Sequence, residues 1–268
     1  MTSAVSPIPA QPQAPPRRRL GLALGGGGVR GMAHVGVLRV LEAEQIPIDC
    51  IAGSSVGSLV GAAYAAGIGS ERLSQLALEI RWRDLAQLQW SRAGLVSFEK
   101  LETTLVNAIG TPTFAQLEIP FAAVAADLAT AEAVVINAGP VARAVRASCS
   151  VPGFVPPVEA DGRLLIDGGV VNNLPIAITR QLGADVVVAV TLGAPPGTHP
   201  RGLLGIGITA IEFLILKSGD DPAAADVHLQ VPTWGLGSVV RTSERHELLA
   251  LGEQAARDAL PAIRALLA

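Results

Sequence analysis

The sequence predicts an α/β fold, a three-layer sandwich in which a mostly parallel central sheet lies between layers of helices. The first observation is composition, because 268 residues with 50% apolar and 16% charged side chains can build one large core. The second is that the short apolar runs are continuous rather than alternating, which is typical of strands covered on both faces. The third is that helical patterns separate these runs, which favours parallel pairing.

The predicted elements alternate along the chain. The strands are 20–24, 48–52, 121–126, 133–137, 163–167, 185–192 and 226–231. The helices are 28–45, 55–67, 70–80, 97–109, 140–148, 175–182, 203–217 and 243–267. Segment 203–216 is shorter than the roughly 18 apolar residues of a membrane-spanning helix, so we expect a buried core helix, with contact with a membrane surface as the alternative. Segment 81–96 is irregular, and we expect either ordinary packing or a lid.

Two regions of the chain differ in composition. Residues 1–19 are rich in Pro, Ala and Gln and have no hydrophobic period, so we expect a disordered tail. Residues 20–268 carry all the predicted elements without an internal boundary, so we expect one domain. The tail lacks the apolar stretch of a signal peptide, although Arg17–Arg19 before the first apolar run leave a twin-arginine export signal as an alternative.

Charge and cysteine content exclude several classes of protein. A net charge of −3 gives no electrostatic footprint for nucleic acid. Two cysteines are too few for a disulfide framework, and Cys50 lies in an apolar run, so we expect a buried thiol and a reducing, cytoplasmic location. The sequence has neither H-E-x-x-H nor a cysteine cluster, so we expect no metal or other cofactor. Composition predicts no oligomeric state.

The first chemical motif is a glycine loop, GGGGVRG (25–31), between a predicted strand and a helix. Glycines let backbone N–H groups face a ligand, and the helix N-terminus adds partial positive charge, so the loop favours a phosphate or a developing oxyanion. Gly26, Gly28 and Gly31 also satisfy the dinucleotide pattern G-x-G-x-x-G, with Asp49 at a suitable spacing to bind a ribose. This motif alone does not decide between the two interpretations.

The second motif, GSSVG (53–57), has the pattern G-x-S-x-G between a predicted strand and an Ala-rich helix. This strand–turn–helix context is the one in which a sharp turn exposes a nucleophilic serine, here Ser55. Its Oγ is expected to point outward at the helix N-terminus, where an alkoxide is stabilised. A dinucleotide-binding protein would leave this motif unexplained.

Several residues compete for the role of the base. Asp167 ends a predicted strand before Gly168-Gly169, and active sites of α/β proteins gather at the carboxyl ends of strands. A desolvated carboxylate at that position can take the serine proton, although a simple turn-capping role is the alternative. Asp127 is the competing carboxylate. His199 lies in a Pro/Gly loop and is the histidine that suits a triad, whereas His34 is expected to be a packed or hydrogen-bonded side chain.

In order along the chain, GGGGVRG, GSSVG and DGG resemble the motifs of the patatin-like phospholipase family. The likeness extends to RGMAHVGVLRVLE in the first helix and to SVPGFVPPV and GGVVNNLP on either side of Asp167. The resemblance covers nearly the whole chain outside the tail. The chain is similar to the compact bacterial members of the family, which lack a regulatory domain. The resemblance implies a patatin-like fold.

The resemblance also implies an activity: a serine lipid acyl hydrolase of the phospholipase A, lysophospholipase or carboxylesterase kind. Ser55 would be the nucleophile and Asp167 its partner in a Ser–Asp dyad, with no histidine in the chemistry. The reaction would pass through an acyl-enzyme. The partner would be a lipid or other acyl ester, with peripheral contact with a membrane as an option and no cofactor.

The same resemblance assigns roles in the glycine loop. Gly26, Gly27 and Gly28 would form the oxyanion hole with their N–H groups, and Arg30 would bind substrate near the oxyanion or a phosphate head group. A surface salt bridge is the alternative for Arg30. Three other functions remain open: an acyltransferase on the same dyad, a non-catalytic lipid-binding or regulatory protein and, more distantly, a dinucleotide-binding protein.

Overall fold

The computed structural model describes residues 17–88, 96–193, 202–233 and 242–268. A central sheet of eight strands and a separate two-stranded sheet carry the following strands: β1 Leu20–Leu24, β2 Cys50–Ser54, β3 Gln87–Leu88, β4 Val96–Ser97, β5 Phe121–Asp127, β6 Ala133–Ile136, β7 Val158–Ala160, β8 Arg163–Asp167, β9 Val186–Leu192 and β10 Val227–Val231. The helices are α1 Met32–Ala43, α2 Val56–Ala65, α3 Ser70–Glu79, α4 Trp82–Leu85, α5 Glu99–Ile109, α6 Val141–Ser148, α7 Ile176–Gln181, α8 Gly202–Lys217 and α9 Thr242–Leu267.

The central sheet has a parallel part and an antiparallel part. Strands β10, β9, β1, β2 and β5 lie side by side in that order, and all are parallel. Three further pairings are antiparallel: β6 and β8 each pair with β5, and β7 pairs with β8. The predicted α/β sandwich is therefore confirmed, with an antiparallel section that the apolar runs did not indicate.

Helices cover the two faces of the sheet. Leu22 and Leu24 of β1 belong to the larger apolar core together with side chains of α1, α2 and α9. Ala23, between them, packs on the opposite face against Ile176 of α7. Successive side chains of a strand point to opposite faces, so β1 is covered on both sides as its apolar run predicts.

Several elements differ from the sequence prediction, among them β7, which was not predicted. Strand β6 alternates between exposed and half-buried residues instead of being covered on both faces, because it lies on the antiparallel side of β5. Helix α8 is not the expected core helix: Ile206, Phe213 and Leu214 are 55%, 49% and 66% exposed. The irregular segment 81–96 begins with the short helix α4 and contains the antiparallel pair β3–β4, and its central part lies outside the described residues.

The end of the predicted tail contacts the domain. Arg17 donates two hydrogen bonds of 2.7 Å to the carboxylate of Asp49. Arg18 donates to the backbone oxygen of Leu266 at 3.0 Å. Residues 1–16 lie outside the described residues, so disorder of the tail remains a prediction.

Candidate active site

Ser55 occupies a tight turn between β2 and α2. Its backbone has φ 51° and ψ −126°, a left-handed conformation that costs a residue with a side chain on the order of 1–3 kcal/mol. The flanking glycines allow this turn because a Cβ on Gly57 would lie 2.1 Å from the Leu24 carbonyl oxygen. A Cβ on Gly53 would lie 2.5 Å from the Gly57 backbone. The G-x-S-x-G motif therefore lies in a strand–turn–helix arrangement, as the sequence predicts.

The Ser55 hydroxyl is hydrogen-bonded to Asp167. Its Oγ donates to Asp167 Oδ2 at 2.6 Å, and Asp167 Oδ1 accepts from the Gly169 N–H at 2.8 Å. Asp167 has no exposed surface. Burial raises the pKa of this carboxyl to about 6, and the two hydrogen bonds limit the rise because they stabilise the charged form. The result is a carboxylate that is ionised at pH 7 but more basic than an ordinary aspartate.

Strand pairing along β5 brings these two residues together. Strand β2 is parallel to β5 and ends with Ser54 opposite Val124. Strand β8 is antiparallel to β5 and ends with Asp167 opposite Ala125, the next residue. Since β6 pairs with the other edge of β5, β2 and β8 share one edge and meet end to end there. Asp167 does end its strand, as expected, although that strand is antiparallel to β5.

Two further serines hold the turn in place. Ser148 Oγ accepts a hydrogen bond of 2.9 Å from the Ser55 N–H and donates one of 2.5 Å to the Val124 oxygen, so it joins the turn to β5. Ser58 Oγ donates to the Ser55 carbonyl at 2.6 Å. The thiol of Cys149 is buried beside this group, and burial raises its pKa. Sequence reasoning missed Ser148, and no motif marks it.

The glycine loop lies directly against Ser55. A Cβ on Gly26 would lie 3.0 Å from the Ser55 Cβ and 2.6 Å from Asn173 Oδ1, and the Gly26 N–H donates to that oxygen at 2.8 Å. Gly28 has φ +57° and faces open space. Among the hydrogen bonds of the described residues, the N–H groups of Gly27 and Gly28 have no acceptor. The predicted helix 28–45 begins as a 3-10 turn, Gly28–Gly31, followed by α1.

Arg30 is buried over the glycine loop. Only 6% of it is exposed, its Nε donates to the Gly27 oxygen at 3.0 Å, and its Nη1 points at the Gly193 oxygen at 3.5 Å. Arg30 is therefore a buried side chain rather than an exposed one. The guanidinium joins the loop to the end of β9.

The other candidate residues lie in different settings. Asp127 accepts from the Ala129 N–H at 2.9 Å and is 3.8 Å from Arg163, so it stabilises the turn after β5. Asp49 lies at the amino end of β2, whereas the glycine loop follows the carboxyl end of the parallel strand β1. Asp49 therefore cannot act as the ribose-binding acid of that loop. His34 is a hydrogen-bonded side chain, as expected. His199 lies outside the described residues.

The sequence profile of the Patatin family, described as patatin-like phospholipase, matches residues 22–180. This match covers more than half of the chain and includes both Ser55 and Asp167. The chain belongs to the patatin-like phospholipase family. Membership is consistent with a lipid hydrolase, and it removes the dinucleotide interpretation of the glycine loop.

Relatives in this patatin-like family occur in bacteria and eukaryotes. The chain is 41% identical over 177 residues to an uncharacterised NTE family protein of Mycobacterium bovis, covering 65% of this chain and 49% of that protein. It is 35% identical over 191 residues to Lysophospholipase NTE1 of Coccidioides immitis, covering 69% of this chain and 12% of that protein. The chain thus spans about half the length of the mycobacterial relative and a smaller part of the fungal one.

Solved structures with this patatin-like fold include two bacterial proteins. VipD from Legionella pneumophila aligns with a TM-score of 0.63 at 15% identity, covering 92% of this chain and 67% of that chain. ExoU from Pseudomonas aeruginosa, in complex with SpcU, aligns with a TM-score of 0.56 at 16% identity, covering 93% and 53%. At this identity the likeness concerns the fold.

The described residues contain neither a cluster of metal ligands nor a membrane-spanning helix. No group of three or more His, Cys, Asp or Glu side chains in the described ranges could hold a metal ion. None of the helices in that part of the chain is long and apolar enough to cross a membrane.

Proposed function

We propose that this chain is a serine lipid acyl hydrolase that cleaves carboxylic esters through an acyl-enzyme on Ser55, with Asp167 as its base. The observation that carries the proposal is the 2.6 Å hydrogen bond from Ser55 Oγ to a fully buried carboxylate. A hydroxyl in this position is ready to lose its proton, and family membership supports a lipid ester as the class of substrate.

The dyad supports both halves of the reaction. As Ser55 Oγ attacks the ester carbonyl carbon, its proton passes to Asp167 Oδ2, and the collapse of the tetrahedral intermediate breaks the bond to the leaving alcohol, which takes the proton. Water then gives a proton to Asp167 and attacks the acyl-enzyme, which releases the carboxylic acid and restores the serine. Burial raises the pKa of Asp167 to about 6, which strengthens it as a base while leaving it ionised at pH 7.

The N–H groups of Gly27 and Gly28 are the proposed donors to the oxyanion. Both lie in the loop packed on Ser55, and neither has an acceptor within the described part of the chain. In comparable sites one such donor contributes about 2.7–4 kcal/mol to transition-state stabilisation. Gly26 was expected to be a third donor, but its N–H is bound to Asn173, so we assign it to the shape of the loop. Arg30 donates to the Gly27 carbonyl, so we propose that it supports the loop that carries these donors.

A fluorophosphonate probe tests the proposal directly. It forms a covalent bond with an activated serine, so mass mapping should find the label on Ser55. Ser55→Ala and Asp167→Asn should each abolish hydrolysis of p-nitrophenyl butyrate while circular dichroism and the melting temperature show a folded protein. Ser54→Ala, one position before the nucleophile, is the matched control. Full activity of Ser55→Ala or Asp167→Asn would refute the dyad, and activity lost only in His199→Ala would favour a triad.

Product analysis separates hydrolysis from acyl transfer. Both would use the same acyl-enzyme, and they differ in whether water or an alcohol accepts the acyl group. With lysophospholipid present as a competing acceptor, free fatty acid as the main product supports the hydrolase. A protein that neither reacts with the probe nor hydrolyses the ester would be a non-catalytic, lipid-binding member of the family.

We further propose that α8 brings this site to a membrane surface. Its neighbour on the sheet side is the turn after Asp167: the Ser218 hydroxyl donates to the Gly169 carbonyl, and a Cβ on Gly169 would lie 3.0 Å from Ile215. Phe213 and Leu214 on the same helix are exposed. An exposed apolar helix beside a site for lipid esters suits peripheral contact with a bilayer. The two free, buried cysteines suit a cytoplasmic location.

A further inference from the structure

The peptide unit between Gly25 and Gly26 is hydrogen-bonded by side chains on both sides. The Gly25 carbonyl oxygen is 2.7 Å from His34 Nε2, and the Gly26 N–H donates to Asn173 Oδ1 at 2.8 Å. The C=O and N–H of one peptide lie in one plane and point in opposite directions. Two partners on opposite sides therefore fix the rotation of this plane about the chain.

His34 is suited to one side of this arrangement. It lies in α1 with no exposed surface, and its other ring nitrogen, Nδ1, has no hydrogen-bond partner among the described residues. Burial lowers its pKa to about 4, so the ring is neutral at pH 7. Since a carbonyl oxygen only accepts, the single ring proton is on Nε2 and is donated to Gly25.

Asn173 is suited to the other side. It is 5% exposed, and it follows the turn that begins at Asp167. A Cβ on Gly169 would lie 3.2 Å from Asn173 Oδ1, and a Cβ on Gly26 would lie 2.6 Å from the same oxygen. The Asn173 side chain thus lies between the glycine loop and the turn that carries the carboxylate.

We propose that His34 and Asn173 are positioning residues that clamp the Gly25–Gly26 peptide and thereby aim the N–H groups of Gly27 and Gly28 at the oxyanion. Consecutive glycines move at little steric cost, so the loop needs outside contacts to keep one conformation. Donors held in place before the reaction need no reorganisation in the transition state. The inference rests on the proposed function, because it assigns the two residues to the oxyanion hole of the same site.

Paired variants at each position test the clamp by steady-state kinetics on p-nitrophenyl butyrate. His34→Gln keeps an N–H donor near the place of Nε2, whereas His34→Leu removes it. Asn173→Ala removes the acceptor for Gly26. Asn172→Ala is the matched control, because Asn172 Oδ1 is buried without a hydrogen-bond partner in the described structure. All variants are compared with the wild type by circular dichroism and melting temperature.

We expect His34→Leu and Asn173→Ala to lower kcat by about 10- to 100-fold with KM within about threefold, as for a small misplacement of catalytic groups. His34→Gln and Asn172→Ala should keep kcat within about threefold of the wild type. The proposal is overturned if KM rises while kcat stays constant, or if His34→Gln is as damaging as His34→Leu. If His34→Leu does not fold, the Asn173→Ala and Asn172→Ala pair decides.

A double variant tests whether the two residues act through one peptide. If they do, His34→Leu combined with Asn173→Ala should lower kcat by little more than the worse single change, because the plane is already released. If the losses multiply, the two side chains act independently and the clamp is rejected.

Hydrogen exchange separates the clamp from the proposed function. A wild type that neither hydrolyses esters nor labels at Ser55 refutes the function. The clamp is then judged by amide exchange over residues 25–31. Faster exchange in Asn173→Ala but not in Asn172→Ala supports the clamp, and equal exchange in the two variants overturns it.

Discussion

Ser55 and Asp167 are 112 positions apart in the sequence, yet their side chains share a 2.6 Å hydrogen bond because β2 and β8 meet end to end along β5. Active sites at the edge of a parallel sheet usually collect loops that leave neighbouring strands on the same side. Here the two reacting groups approach from opposite directions, and one edge of a single strand aligns them.

The pH dependence of kcat/KM should follow the ionisation of Asp167. The carboxylate must be unprotonated to accept the serine proton, and burial raises its pKa to about 6. Activity should therefore be full above about pH 7 and fall roughly tenfold per pH unit well below pH 6, as protonation removes the base. Initial rates on a soluble nitrophenyl ester between pH 4.5 and 8 measure this acidic limb of the pH profile, the fall in kcat/KM at low pH.

His199→Gln is the control for that profile, because an imidazole base would give a limb in the same region. The variant should keep the limb unchanged if the carboxylate is responsible. A flat profile down to pH 5, or a limb that disappears in His199→Gln, contradicts the assignment.

Removing the Ser148 hydroxyl should weaken both the fold and the reaction. Ser148→Ala leaves the Ser55 N–H and the Val124 oxygen without their shared partner. We expect a loss of about 1–3 kcal/mol in the free energy of unfolding from buried unsatisfied groups, and a fall in kcat as the turn loses its link to β5. Urea unfolding and steady-state kinetics measure the two effects. Ser150→Ala, which removes a hydroxyl bonded to the Arg146 oxygen, should leave kcat near that of the wild type.

Glycine-to-alanine changes should have opposite effects at two positions. Gly57→Ala places a Cβ 2.1 Å from the Leu24 oxygen, so we expect a destabilisation of at least about 1–3 kcal/mol or failure to fold. Gly207→Ala on α8 has open space around the new Cβ and should stabilise the helix by up to about 1 kcal/mol. Thermal and urea unfolding of the two proteins give the comparison. A wild-type melting temperature for Gly57→Ala would show that α2 does not pack as closely on β1 as described.

The exposed face of α8 should affect vesicle binding and not the chemistry. Phe213→Gln combined with Leu214→Gln should reduce co-sedimentation with phosphatidylcholine vesicles, while kcat/KM for a short-chain soluble ester stays within about twofold. Leu128→Gln, which changes a leucine that is 51% exposed in the turn after β5, is the matched control. Unchanged vesicle binding of the double variant would exclude this helix as the membrane contact.

Motifs predicted more of the site than of its surroundings. Ser55, Asp167 and the glycine loop stand out because their chemistry requires particular residue types at short spacing, and the structure places all three together. Ser148 and Asn173 make long-range contacts and belong to residue types found in any turn or helix end. Asn173 lies in the GGVVNNLP stretch of the family resemblance, but that stretch alone gives it no role. The contacts of both residues can be recognised only from the three-dimensional positions of β5 and of the loop after β8.

The same distinction applies to the fold. The apolar runs predicted β1, β2, β5 and β9 because buried strands have a recognisable composition, but a run does not encode its direction, and β8 proved antiparallel. For α8, the pattern correctly indicated a helix, yet hydropathy could not say whether the protein core covers it. The structure leaves Leu214 66% exposed, so the expected burial in the core was wrong.

The end-to-end meeting of β2 and β8 makes register the quantity that sets the distance between nucleophile and base. A slip of β8 by one residue against β5 would move the carboxylate by about 3.3 Å and turn it to the other face of the sheet. A change of length in the hairpin before β8 that shifted this register would therefore separate the nucleophile from the base, even though that hairpin takes no part in the chemistry.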